Sequence, residues 1–313
     1  MNTFAARLRR FEEVGVLGAL VALCVALTVV TDSFFSAVNL LQVARQASTT
    51  GIMAVGMVFV LTMGDVDLSV GSILTLVNIL AAVALREGLP LPLAVLVGLA
   101  AGAACGFTNG GLSVLLRIPT IIVTLGTMSI YYGLALVISK ATPISQFSKE
   151  SLFFELGGKI PTSVLTMLAV GLAGWVLFHR TPFGRRVQAI GSNLQAARFS
   201  GIPIPRTRIL VMTGMGAASA VAGILALAFL QSADPSTGPG LELFVIAAAI
   251  IGGTALSGGS GSILGAILGA LIIAVIRNGL VLLEVSAYWS RVVTGAVIIA
   301  AVAVDYLIKR RSS

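Results

Sequence analysis

Met63-Gly64-Asp65-Val66-Asp67-Leu68-Ser69-Val70-Gly71-Ser72 joins two apolar runs with almost no loop between them. A bilayer crossing needs about 20 mostly apolar residues. The stretch from Gly51 to Met63 falls short, so its helix must borrow Arg45, Gln46, Ser48, Thr49 and Thr50. A second interruption, Gly252-Gly253-Thr254-Ala255-Leu256-Ser257-Gly258-Gly259-Ser260-Gly261-Ser262, separates runs that also read as short. The two align at an offset of 190: Gly71-Ser72-Ile73-Leu74 matches Gly261-Ser262-Ile263-Leu264, and Asp67 falls opposite Ser257. Glycine-broken hydrophobic segments in corresponding halves of a chain mark a translocation site. A broken helix frees N–H and C=O groups, which can bind a polar solute where protein or water surrounds them. Gly64, Asp65, Asp67, Ser69, Gly71, Thr254, Ser257 and Gly258 are therefore the candidate path residues. Asp65 and Asp67 offer acceptors to a polyhydroxylated or cationic solute. They suit equally a tight turn on the inner side that caps the helix from Ser69, and the two roles are compatible.

The rest of the chain fits a membrane setting. Of its 313 residues 57% are apolar and 10% charged, against about 25% charged in an average soluble domain. That excludes a soluble enzyme, a disordered chain and a nucleic-acid binder, despite the net charge of +8. Ten apolar runs lie near 14–31, 46–63, 68–85, 91–114, 118–138, 162–178, 208–231, 243–256, 262–283 and 290–308. The expected fold class is all-α: one polytopic transmembrane domain over residues 1–313, with about ten membrane helices and broken helices in two repeat-related halves.

Arginine and lysine set the orientation, because inner loops carry the excess of both. With the N-terminus inside, thirteen basic residues fall on the inner side and seven on the outer, where Arg45 and Arg277 are placed. This predicts a multi-pass protein of a bacterial inner membrane with both termini cytoplasmic. The first run is a retained span, since no small-residue cleavage site follows it. Phe4, Leu8 and Phe11 stand at helical spacing among arginines, as an interfacial helix or a basic tail.

Small residues allow close helix packing in lipid. Gly98, Gly102, Gly106 and Gly110 form one such stripe, and Gly261, Gly265 and Gly269 a second. Both read first as tight packing and second as surfaces that slide. Cys24 and Cys105 lie in apolar runs and read as core residues. One histidine, His179, builds neither a metal cluster nor a catalytic constellation.

The segment from His179 to Arg208 is the most polar part of the chain. Within it Asn193 can cap a short helix, Gly201 can end it and Pro203 blocks its continuation. About two turns result, offering Ala196, Ala197 and Phe199 outward, either as an interfacial loop or as a docking helix for a cytoplasmic protein. No G-x-x-x-x-G-K-[ST] loop is present, so ATP is not cradled by this chain.

With these motifs in place, the chain resembles the permease subunits of bacterial ABC importers for ribose, xylose, arabinose and related sugars. The resemblance rests on Ala54-Val55-Gly56-Met57 leading into Gly64 through Ser72, then Thr124-Leu125-Gly126-Thr127 and Gly191-Ser192-Asn193 through Ser200-Gly201-Ile202. It continues with Gly252-Gly253-Thr254 through Gly261, Asn278-Gly279-Leu280 and Asp305. It implies a partner ATP-binding subunit that uses ATP and magnesium, a periplasmic or lipid-anchored solute-binding protein, and a second permease copy or paralogue. It also implies that Gly191, Asn193, Ala196, Ala197, Ser200 and Gly201 belong to a coupling segment that docks on the ATPase. Arg277 and Glu284 depart from the family pattern, in an expected outer loop that either touches the binding protein or is solvated. Two other classes stay open: an ABC permease for a branched-chain amino acid or nucleoside, and an ion-coupled secondary transporter using Asp65 or Asp67.

Overall fold

The computed structural model describes residues 3–286 apart from 150, 158 and 159, with scattered positions between 288 and 299. The described residues form twelve helices, and the only β-pairing among them is an isolated bridge between Ile144 and Ala233. Seven helices are long and apolar enough to cross a membrane: α1 (Thr3–Val30), α2 (Ala37–Thr62), α4 (Leu91–Leu116), α5 (Thr120–Ser139), α7 (Ile160–Arg180), α10 (Ile204–Leu230) and α12 (Ile263–Leu282). Two apolar helices are shorter, α3 (Val70–Arg86) and α11 (Leu241–Ile251). Nine of the ten expected runs are thus helical; the tenth, 290–308, lies largely outside the described residues, as does Asp305. The remaining helices, α6 (Leu152–Gly157), α8 (Pro182–Ser192) and α9 (Leu194–Phe199), are short connectors.

The glycine stripes are packing surfaces. Side chains at Gly102, Gly106 and Gly110 would run into α10 at Gly216, Met212 and Ile209, so α4 and α10 meet almost backbone to backbone. Side chains at Gly265 and Gly269 would do the same against Gly252 and Ala248, seating α12 on α11 and its break. Such close approach replaces the hydrophobic drive that lipid does not supply.

Two expectations about length are corrected. The second span does not begin near residue 46: α2 starts at Ala37, where Ser36 accepts a bond from the Asn39 amide at 3.3 Å. Its polar first half is accommodated because Ser48 and Thr50 are buried and Asn39, Arg45, Gln46 and Thr49 half-buried, while Gln42 is exposed. Asn39 and Asn278 exchange reciprocal amide bonds of 3.0 and 2.7 Å, tying the starts of α2 to the far end of α12. The run after the second break is not short either, since α12 has 20 residues.

The true shortfall lies in α11, whose 11 residues span about 16 Å at 1.5 Å per residue. The chain before it, 231–240, supplies the rest. After α10 ends at Gln231 with φ of 51°, Ala233 pairs with Ile144 and Gly238 presses against Gly71 and Thr75 of α3. Gly240, at φ 92°, then opens α11 inside the bundle. A side chain at Gly238 would strike the Gly71 carbonyl, so this contact requires glycine.

Cys24 and Cys105 are free thiols. Arg277 is not in a loop but within α12, while Glu284 is exposed beyond its end. Arg45 likewise lies inside α2.

Candidate functional site

Arg117, Arg180, Arg185, Arg186, Arg198 and Arg206 are exposed where α4, α7, α8, α9 and α10 begin or end, which defines a basic end of the bundle. Both breaks open toward it. In the first, α2 stops at Thr62 and Gly64 takes φ of 84°, letting the chain turn back. Asp65 then receives Arg208 of α10, with Nε donating to Oδ2 at 2.8 Å and Nη2 to Oδ1 at 3.4 Å. A guanidinium meeting both oxygens of one carboxylate fixes direction as well as distance.

Asp67 is fully buried. Its Oδ1 accepts from the Ser69 amide at 2.8 Å and the Ser69 hydroxyl at 2.6 Å. Ser69 in turn accepts from Asn109 of α4 at 2.8 Å, and the Tyr131 hydroxyl of α5 donates to Asn109 at 3.0 Å. This chain of bonds pins the start of α3 to α4 and α5. Asn109 stands seven residues inside the end of α4, about 10 Å along the helix. The 63–69 segment therefore climbs into the bundle before α3 begins. Asp67 thus closes a turn onto Ser69, the residue just before α3, while its Oδ2 has no hydrogen-bond partner.

The second break follows α11. Gly253, Gly258 and Gly259 all take φ near 85°, and Thr254 is buried with its hydroxyl unpartnered. Ser257 is exposed, so the repeat partner of the buried Asp67 sits in a different environment. The two breaks touch. Gly259 N donates to Thr62 O at 2.8 Å, and Thr62 Oγ1 donates to Ser260 O at 3.3 Å. A side chain at Gly261 would meet Thr62 and Val58, which closes the approach.

A third segment enters the same junction. α8 starts on Pro182 with Thr181 as cap, buries Gly184, Val187 and Ile190, and ends at Gly191 and Ser192. A side chain at Gly191 would collide with the Thr62 carbonyl and the Gly259 amide, so the end of α8 lies against both breaks at once. Past it Asn193 caps α9 by accepting from the Ala196 amide at 2.9 Å. Gly201 at φ 73° and the Ile202 amide bonded to Ala197 O at 3.1 Å terminate α9, a C-terminal closure that favours glycine. Ala196, Ser200 and Phe199 are exposed, the last at 91%. Ala197 is not presented outward as expected: at 3% exposure it packs into the core cluster with Val187, Ile190 and Ile204. A six-residue helix needs one apolar residue turned inward to stay folded.

Arg208, Asn109 and Tyr131 were not candidates in the sequence, because each partner lies far away in the chain. Glu13 is a further case: it accepts from Ser262 at 2.7 Å, while Ser262 accepts from the Gly265 amide to cap α12. The spacing of charges carries no trace of such pairings.

A cavity of about 320 Å³, with a mainly apolar wall that includes Leu74, Leu225, Phe229 and Leu241 and a polar flank, lies toward the opposite end of the bundle. It is lined among others by Gln42, Arg45, Gln46, Thr49, Ser163 and Thr237, with Arg277 at its wall. The sequence marked Arg45, Gln46 and Thr49 as residues borrowed to lengthen a span, with Arg45 and Arg277 counted on the outer side, and did not single out Gln42.

A membrane-embedded helical bundle with two broken helices meeting a capped amphipathic hairpin defines a transport permease. The chain belongs to the family described as "Branched-chain amino acid transport system / permease component", which it matches over residues 39–302. It is 39% identical to the ribose import permease protein RbsC of Bacillus subtilis over 94% of this chain and 92% of that protein. It is 38% identical to the Escherichia coli K12 ribose import permease RbsC over 92% and 91% of the two chains. To the xylose transport system permease protein XylH of the same strain it is 34% identical over 95% and 92%. No solved structure matches the chain.

Proposed function

We propose that this chain is the membrane-spanning subunit of an ATP-driven importer that carries a sugar or sugar-like solute into the cytoplasm. The likeness to ribose permeases over more than nine-tenths of both proteins carries the reading. The basic end is cytoplasmic in this reading, as the distribution of arginine favours, so both chain termini face inward across a bacterial inner membrane. The partners are a cytoplasmic ATP-binding subunit, a periplasmic or lipid-anchored solute-binding protein, and a second permease copy or paralogue. ATP and magnesium act on the partner ATPase, and this chain is a non-catalytic subunit.

A chain of contacts from α9 to the breaks supports this reading. α9 docks on the ATPase through Phe199, Ala196 and Ser200, with Asn193 and Gly201 fixing its two ends. α8 carries any displacement to Gly191, which rests on Thr62 of the first break and Gly259 of the second. Arg208, a few residues past α9, holds Asp65. One rigid hairpin is thereby coupled to both breaks, and Gly64, Asp65, Asp67, Ser69, Gly71, Thr254, Ser257 and Gly258 frame the cytoplasmic end of the solute path. The family's description favours a second solute class, branched-chain amino acids. Titration of the cognate binding protein with D-ribose, D-xylose and L-leucine separates the two: tight sugar binding is expected, and tight leucine binding without sugar binding overturns the sugar assignment.

A further inference from the structure

The cavity toward the periplasmic side carries an unusual balance of charge. Two of its lining residues, Arg45 and Arg277, are cationic, and no carboxylate lines it. Neither guanidinium forms a hydrogen bond or ion pair with a described residue. Each rests on an aromatic ring instead: Arg45 Cζ lies 3.8 Å from the Phe229 centroid, and Arg277 Cζ 4.5 Å from that of Phe244. Cation–π contact offsets part of the desolvation cost but leaves the charge intact. Holding a cation within the membrane costs at least about 2.5 kcal/mol, so such residues mark solute pathways. The remaining polar wall, Gln42, Gln46, Thr49, Thr50, Ser163 and Thr237, presents neutral donors and acceptors.

We propose that this cavity is a binding subsite for a polyhydroxylated anion, with Arg45 and Arg277 holding its carboxylate or phosphate and the glutamine and threonine side chains holding its hydroxyls. Guanidinium is the side chain that matches the geometry of such an acid group. A neutral pentose would use the amides and hydroxyls and leave two cations uncompensated, whereas an acidic sugar satisfies both sets. The same chemistry is offered by two sources: a soluble sugar acid on its way through, or a phosphatidylglycerol headgroup with its phosphate and glycerol hydroxyls. Calling the ligand a transported solute rests on the importer reading above.

The test uses the full-length permease in phosphatidylcholine nanodiscs, titrated with D-ribose and with D-ribonate, which exchanges the aldehyde carbon for a carboxylate. A parallel arm adds phosphatidylglycerol. Saturable binding of ribonate at least about tenfold tighter than ribose supports a solute site, and phosphatidylglycerol binding that excludes ribonate supports the lipid source of the same chemistry. R45Q and R277Q should each weaken the anion about tenfold or more, while R45K and R277K, which keep the charge but lose the guanidinium fork, should fall between the parent and the Gln variants. Equal binding of ribose and ribonate, or Gln variants that bind the anion as tightly as the parent, overturns the proposal. ATP-driven ribose uptake by the complete importer with no anion preference overturns this subsite and leaves the importer reading standing. Anion binding without ATP-driven uptake of any sugar does the reverse.

Discussion

Asp65 and Arg208 form a two-point ion pair, 2.8 and 3.4 Å, between the first helix break and the helix that follows the docking segment. Both side chains are largely shielded, at 10% and 24% exposure, so the pair contributes stability as well as geometry. Asp65→Asn or Arg208→Gln should cost about 1–2 kcal/mol in a thermal melt of the detergent-purified chain. The exchange Asp65→Arg with Arg208→Asp should recover part of that loss. Single variants as stable as the parent would show that the pair holds nothing.

The junction at Gly191 predicts a different signature. Gly191→Ala places a methyl against the Thr62 carbonyl and the Gly259 amide, so α8 must move away from both breaks. The ATPase should still assemble with this variant, while solute-stimulated ATP hydrolysis falls about tenfold or more, as for a misplaced catalytic support. Undiminished stimulation would disconnect the hairpin from the breaks.

Phe199 and Ala197 separate docking from folding. Phe199 is 91% exposed and Ala197 3%. Phe199→Ala should weaken ATPase binding by about 2 kcal/mol, the scale of an aromatic interface anchor, and leave the melting temperature unchanged. Ala197→Glu buries a charge and should lower both the folded yield and the uptake. Pull-down affinity and melting curves, taken together, decide between the two outcomes.

Asn109 links Ser69 to Tyr131 within the bundle. Asn109→Ala strands the Ser69–Asp67 pair and should destabilise the chain by about 1–3 kcal/mol. Asn109→Asp sets a second carboxyl near Asp67 and should cost at least as much. Equal melting temperatures for all three proteins would remove the network from the account.

Features that depend on local order were readable in the chain. Runs of apolar residues placed nine helices, and Asn193, Gly201 and Pro203 delimited α9 because capping and termination act within a few residues. The glycine stripes announced close packing, and the matched breaks at an offset of 190 do meet in space through Thr62 and Gly259. Pairings between distant helices left no local pattern. Asp65 read as a solute acceptor or a turn residue, and its ion pair with Arg208, 143 positions away, left no local sign. α2 looked short because Asn39, Gln42, Arg45 and Gln46 read as polar, and hydropathy does not record that neighbouring helices half-cover Asn39, Arg45 and Gln46. The shortness of α11 was legible in the run before the second break; what was hidden is that 231–240 enters the bundle on backbone contacts at Gly238 and Gly240 rather than on apolar side chains.

The central claim is that ATP, hydrolysed by a partner, drives a sugar through this chain. The direct measurement is uptake of radiolabelled D-ribose or D-xylose into proteoliposomes holding the permease, its ATPase and its binding protein, with ATP on the ATPase side. Accumulation that requires ATP and the binding protein and survives a protonophore is the predicted result. Accumulation by the permease alone, abolished by the protonophore and indifferent to ATP, would contradict the account and make Asp65 or Asp67 the site of an ion-coupled carrier.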